Sequence, residues 1–172
     1  MNLNLKQNIQ VMGELTITSI DTNTGCVISE DTHPNMILDS GLELLAKAIS
    51  SQGIPLVSHL QLGGNSNPPI STDVPLSSDG QLITTPSEVF PVQAYYNRPN
   101  AVTFKCFIPA TAANRGSAAN YNEAVLLAGT LNPGLATYTY QWFARRTFNQ
   151  RYKDNNIIFE ITWVIKFLYS NI

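Results

Sequence analysis

Two histidines, His33 and His59, two cysteines, Cys26 and Cys106, and a thin scatter of carboxylates are the side chains that could do chemistry here. A zinc site needs three or four ligands at short, characteristic spacings. The histidines stand apart from each other and from either cysteine, so no metal is expected. No G-x-S-x-G elbow presents a serine nucleophile. Glycan hydrolysis would need two carboxylates roughly 5–10 Å apart across a cleft. Glu123 and Asp73 are the only pair we would assign to that task. The chain is expected to be neither an enzyme nor a cofactor binder.

The stretch LQLGGNSNPPISTDVPL, residues 60–76, resembles a ligand cradle at first sight. A phosphate loop needs Lys-Ser/Thr after its last glycine, opening a helix. Here Pro68 and Pro69 follow instead. A calcium loop needs alternating acids and a closing Glu, and Asp73 stands alone. Gly63 and Gly64 therefore predict a sharp turn leaving a strand at 59–62. Asp73 predicts a local cap on backbone N–H groups, an Asx-type turn.

Positive charge concentrates at Arg145, Arg146, Arg151 and Lys153, beside Tyr138, Tyr140, Trp142 and Phe143. Aromatics next to arginine can stack sugars or bases. As a strand, Tyr138, Tyr140, Trp142 and Ala144 share one face, with the arginines at its end and in the turn before the last strand. There they could bridge to an acidic neighbouring subunit. Asn120 and Glu123 join this group as candidate interface residues.

These residues need a scaffold, and 172 residues suffice for one domain with a real core. Charged residues make up 13% and the net charge is −2, which argues against nucleic-acid binding. The N-terminus lacks a secretory pattern, and no apolar run approaches the ~18 residues of a membrane span. Without an export signal, two reduced and buried cysteines are expected.

Residues 13–20 alternate as a strand; DTNTG at 21–25 turns the chain, with Gly25 at positive φ, into a returning strand at 26–29. Ser40 and Glu43 form an S-x-x-E capping box for an amphipathic helix at about 40–51. Its stripe is Leu42, Leu45, Ala46 and Ile49, and Gly53 ends it. Residues 60–100 read as loops and short strands wrapping a core. Strands follow at 101–109, 121–129, 137–148 and 157–168. The last places Ile157, Phe159, Ile161, Trp163, Ile165 and Phe167 on one buried face. Residues 110–122 read as a loop that orders at an interface. Residues 1–12 read as an arm that could add to a neighbour's sheet edge. The expected architecture is mainly β: one antiparallel β-sandwich domain over 13–168 with the single helix packed on it.

The order of six segments resembles a bacteriophage tail-fibre/tail-collar attachment module. They are NMILDSGLELLAKAI, LQLGGNSNPPISTDVPL, AVTFKCFIP, NYNEAVLLAG, YQWFARRTFNQRYK and IIFEITWVIKF, spanning about 13–168. Gly63–Gly64–Asn65 stands where the family often has G-T-G, and Ala124 stands where it has Gly. The resemblance implies a virion structural protein of the tail, assembled in the host cytoplasm. It would be a collar, baseplate or fibre-attachment adaptor without a fibre shaft. Its implied partners are other tail proteins (fibre, baseplate, tube or collar), in a homo-oligomer or multi-copy assembly, with no nucleic acid and no membrane. The alternative is a non-catalytic host-glycan-binding module, with Trp142, Tyr138, Tyr95 or Tyr96 forming an exposed platform.

Overall fold

The computed structural model describes residues 8–50, 55–73, 89–114, 118–132 and 137–170. The protein is mainly β, with one helix among the described residues. The elements are β1 (Asn8–Asp21), β2 (Val27–Ile37), α1 (Asp39–Ile49), β3 (Leu56–Gly63), β4 (Val89–Pro91), β5 (Gln93–Arg98), β6 (Ala101–Ile108), β7 (Ala118–Asn132), β8 (Thr137–Asp154) and β9 (Ile157–Ser170). Every pairing is antiparallel, in the order β4-β3-β7-β8-β2-β1-β9-β6-β5.

The sheet folds over itself at β2. One half, β1-β9-β6, contributes Leu15, Ile17, Phe104, Cys106, Phe159 and Trp163 to the core; the other, β3-β7-β8, contributes Leu62, Tyr121, Leu126 and Phe143. Tyr121 meets Phe159 edge-on across the two layers, 6.4 Å between ring centroids. The alternation in β9 accounts for its position: Phe159, Ile161, Trp163 and Ile165 are buried while Glu160 is exposed. Each such side chain stabilises the fold by about 1.5–3 kcal/mol before entropy.

The turn between β1 and β2 forms as expected. Asp21 Oδ1 accepts from the N–H groups of Asn23 (2.8 Å) and Thr24 (2.9 Å), and Gly25 sits at φ 67°. Those local bonds hold the Asp21 carboxyl below its usual range, the Thr24 N–H most of all.

Several expectations are corrected. The arm is shorter than residues 1–12, because from Asn8 onward the chain pairs with β9, Asn8 opposite Ser170. Residues 118–122 are strand, not loop. Helix α1 begins at Asp39, and its N-cap is Leu38, without a side-chain cap bond. Ser40 Oγ instead donates to Trp142 O at 2.6 Å, and Glu43 pairs with Lys47 one turn on. The helix also presents a different stripe. Gly41 and Leu44 are buried, whereas Leu42 is 45% and Ile49 87% exposed. Gly53 and the apolar pair Leu82–Ile83 lie outside the described residues.

The helix stripe shifts because α1 docks by backbone. Strand β8 carries a bulge: Trp142 faces Leu127 and Ala144 faces Leu126, leaving Phe143 without a register partner. Leu38 N donates to Phe143 O at 3.1 Å. Gly41 lies so close that a Cβ there would collide with that same carbonyl. The bulge also overturns the shared face of Tyr138, Tyr140, Trp142 and Ala144. Ala144 turns into the main core, and Arg145 takes the side of Trp142.

Candidate functional site

The face that Arg145 gains carries, on neighbouring strands, Val125 and Glu123 of β7 and Gly63 at the end of β3. From Gly63 the chain leaves as the loop 64–73 and returns across this face. Arg145 Nε donates to Glu123 Oε1 at 2.5 Å, Nη1 to Asp73 Oδ2 at 2.6 Å, and Nη2 to Asn67 O at 3.1 Å. Asn65 N donates to Glu123 Oε2 at 3.3 Å. Asp73 Oδ2 also accepts from Ile70 N at 3.0 Å, so the expected local cap is present. What sequence reading missed is that the capping oxygen also pairs with a buried arginine.

The Arg145 and Glu123 side chains are 3% and 0% exposed, and Asp73 is 20% exposed. Two carboxylates share one guanidinium. Burial pushes the Glu123 carboxyl up, and the Arg145 hydrogen bond and charge pull it back. The other end of the loop is tied to α1, where Asp39 N donates to Ser71 O at 2.8 Å. Glu123 and Asp73 thus both pair with Arg145. Neither Gly63 nor Gly64 adopts positive φ; Gly63 is the last residue of β3 and the loop departs without a left-handed step.

The other candidate interface cations lie within β8 itself, not in a turn. Lys153, one of these candidates, is fully buried. Its Nζ donates to Ala110 O (3.1 Å), Asn114 Oδ1 (3.0 Å) and Asp154 O (3.0 Å). Burial pulls its pKa down to about 8, opposed by Asp154. Around it, Asn114 donates to Ala110 O, and Tyr121 donates to the carbonyl of Ala113, whose φ is 59°. No sequence signal marks this lysine-centred turn. Arg151 donates to Ser29 Oγ and pairs with Asp31. Arg146 is half-buried and Asn120 is exposed.

Of the candidate platform rings, Tyr138, Tyr95 and Tyr96 are exposed and Trp142 is not. Trp142 is buried at 7% exposure, inside a small cluster with Leu38, Val125 and Leu127. Tyr95 and Tyr96 are exposed on β5, at the far end of the sheet order from β8. Tyr138 stacks on Tyr140 (5.8 Å, 12°), with His59 edge-on to both. His59 and His33 occupy strands that are not neighbours. The cysteines are unpaired. Cys106 is buried, which lifts its thiol to about 12; Cys26 is exposed in the turn, contrary to the expected burial.

Fold and site together define a mainly-β protein whose longest described loop is pinned by a buried arginine shared between two carboxylates. No family model, no curated protein and no solved structure matches the chain.

Proposed function

We propose that this chain is a structural protein of a bacteriophage tail, a collar, baseplate or fibre-attachment adaptor. It joins neighbouring tail components by protein–protein contact, in several copies and without catalysis. The supporting observation is a convergence. Three separated segments carrying the tail-module resemblance meet at one point: the loop through Asp73, the NE strand through Glu123 and the FARR strand through Arg145. The cluster gives those motifs one shared task, holding a surface loop rigidly on a sheet.

A rigid loop is what a binding protein needs, because little ordering entropy remains to oppose contact. Ile70 on that loop is 59% exposed, and Leu56, Tyr96 and Phe107 add exposed apolar surface. Specific interfaces of this kind bury more than about 1,000 Å². The test is proteomics and cryo-EM of purified virions. The chain is expected as ordered, multi-copy density in the tail; its absence from purified particles would overturn the proposal.

The glycan-binding alternative retains one observation, the half-open stack of Tyr138 on Tyr140. On that reading, Tyr138→Ala would abolish retention on host-glycan arrays; no retention of the unaltered protein would remove it.

A further inference from the structure

Among the described residues, the corner strand β2 is unpaired along most of one side. It pairs with β1 from Asn35 to Val27, but with β8 only at Met36–Arg145 and Ile37–Ala144. Beyond that pivot, residues 29–35 of β2 make no backbone ladder with β8. The row facing inward along this stretch is polar. Ser29, Asp31, His33 and Asn35 stand opposite Ser19, Ile17, Leu15 and Gly13 of β1, and Leu15 and Ile17 belong to the core. From β8, Arg146 and Arg151 share the inward side with their β7 partners Ala124 and Tyr121, also core residues.

Arg151 is satisfied by Asp31 and Ser29. Arg146 is not: it has no acidic partner among the described residues, and its buried Nε makes no hydrogen bond. It follows Arg145, where the ladder with β2 has ended. The buried Nε2 of His33 also lacks a partner; the Asn35 amide packs over Gly13 of β1 instead. More than about 90% of buried polar groups in native proteins are hydrogen-bonded. Two orphans on this side, Arg146 Nε and His33 Nε2, therefore mark a missing partner. Two arginines against one aspartate leave a net positive charge there. An open strand edge demands N–H and C=O groups, and Arg146 demands an anion.

We propose that the seam between β2 and β8 receives an extended acidic segment of a neighbouring subunit. Its backbone adds to the open edge of β2, its carboxylate pairs with Arg146, and His33 bonds a flanking polar group. The identity of the donor as a neighbouring subunit rests on the assembly reading above; the chemistry of the seam does not.

The test is NMR of the isotope-labelled full chain with a capped peptide TVEVT, its TVQVT counterpart and sodium acetate, each up to millimolar concentration. TVEVT is expected to shift the Arg146 Nε–H signal saturably and to slow amide exchange across residues 29–35. TVQVT should bind about tenfold or more weakly, the scale of one lost charged hydrogen bond. Arg146→Gln should erase the preference for TVEVT, and Arg146→Lys should keep part of it. Both variants are checked for unchanged amide signals away from the seam. No saturable shift with TVEVT would mean that water alone fills the seam. An equal shift from acetate without amide protection would reduce it to a point anion site. Either result overturns the proposal and leaves the tail reading untouched, whereas absence from virions overturns that reading and leaves the peptide result standing.

Discussion

Arg145 and Glu123 lie 2.5 Å apart, Nε to Oε1, on neighbouring strands, with both side chains closed to solvent. Their pairing makes the loop 64–73 an extension of the sheet. A buried pair of this kind adds little against an apolar replacement of both partners, but removing one partner leaves a stranded charge.

Arg145→Met is therefore expected to lower unfolding free energy by about 3–5 kcal/mol. The double variant Arg145→Met/Glu123→Leu should recover a substantial part of that loss. Urea titrations of the two proteins decide it: if the double variant is no more stable than the single one, the stranded-charge account is wrong.

Asp73→Ala frees both Ile70 N and one arm of Arg145. A loss of about 1–3 kcal/mol is expected, with faster amide exchange at Ile70 and weaker assembly, and no change in bound metal. Elemental analysis showing an ion lost with Asp73 would contradict the structural role.

Gly41→Ala tests the docking of α1. The added methyl meets Phe143 O, a backbone atom that cannot rotate away. Helix and bulge must separate, with an expected cost of about 1–3 kcal/mol, the range of overpacking. A melting temperature within a degree of the unaltered protein would mean that α1 does not rest on the β8 bulge.

Lys153 predicts a pH dependence of definite sign. Its folded pKa, about 8, lies below its ordinary 10.5, so between those values the unfolded chain binds more protons. Its charge is a cost present in full below about pH 8 and relieved as pH rises toward 10.5. The unaltered protein should gain stability relative to Lys153→Met across that window, by up to about 1.4 kcal/mol per pH unit. Parallel stability curves for the two proteins would refute the assignment.

The two thiols should separate kinetically. Cys26 is exposed and Cys106 is buried with its thiol lifted to about 12. Only the thiolate reacts. One equivalent of a thiol reagent is expected to label Cys26 in the native protein, and the second only after denaturation.

The long strands and the first turn were legible because their causes are local. A two-residue alternation from Ile157 to Phe167 can satisfy only a sheet with one buried side, and Asp21 with Gly25 carries its own turn geometry. The Asp73 cap was legible for the same reason, since its partner Ile70 is three residues away. The row Ser29, Asp31, His33 and Asn35 was not: the returning strand was expected only at 26–29, and only the pairing with Leu15 and Ile17 reveals that β2 continues and turns this row inward.

What the sequence by itself determined is the mainly-β class, the single helix and the apolar face of β9. These follow from periodicity and turn chemistry over a few neighbouring residues. What only the tertiary structure decided is where the charges go. One unpaired residue, Phe143, moves Arg145 to the opposite face and sets it against Glu123 and Asp73, 22 and 72 positions away in the chain. A bulge is a property of two strands in register, and no single stretch of sequence carries it.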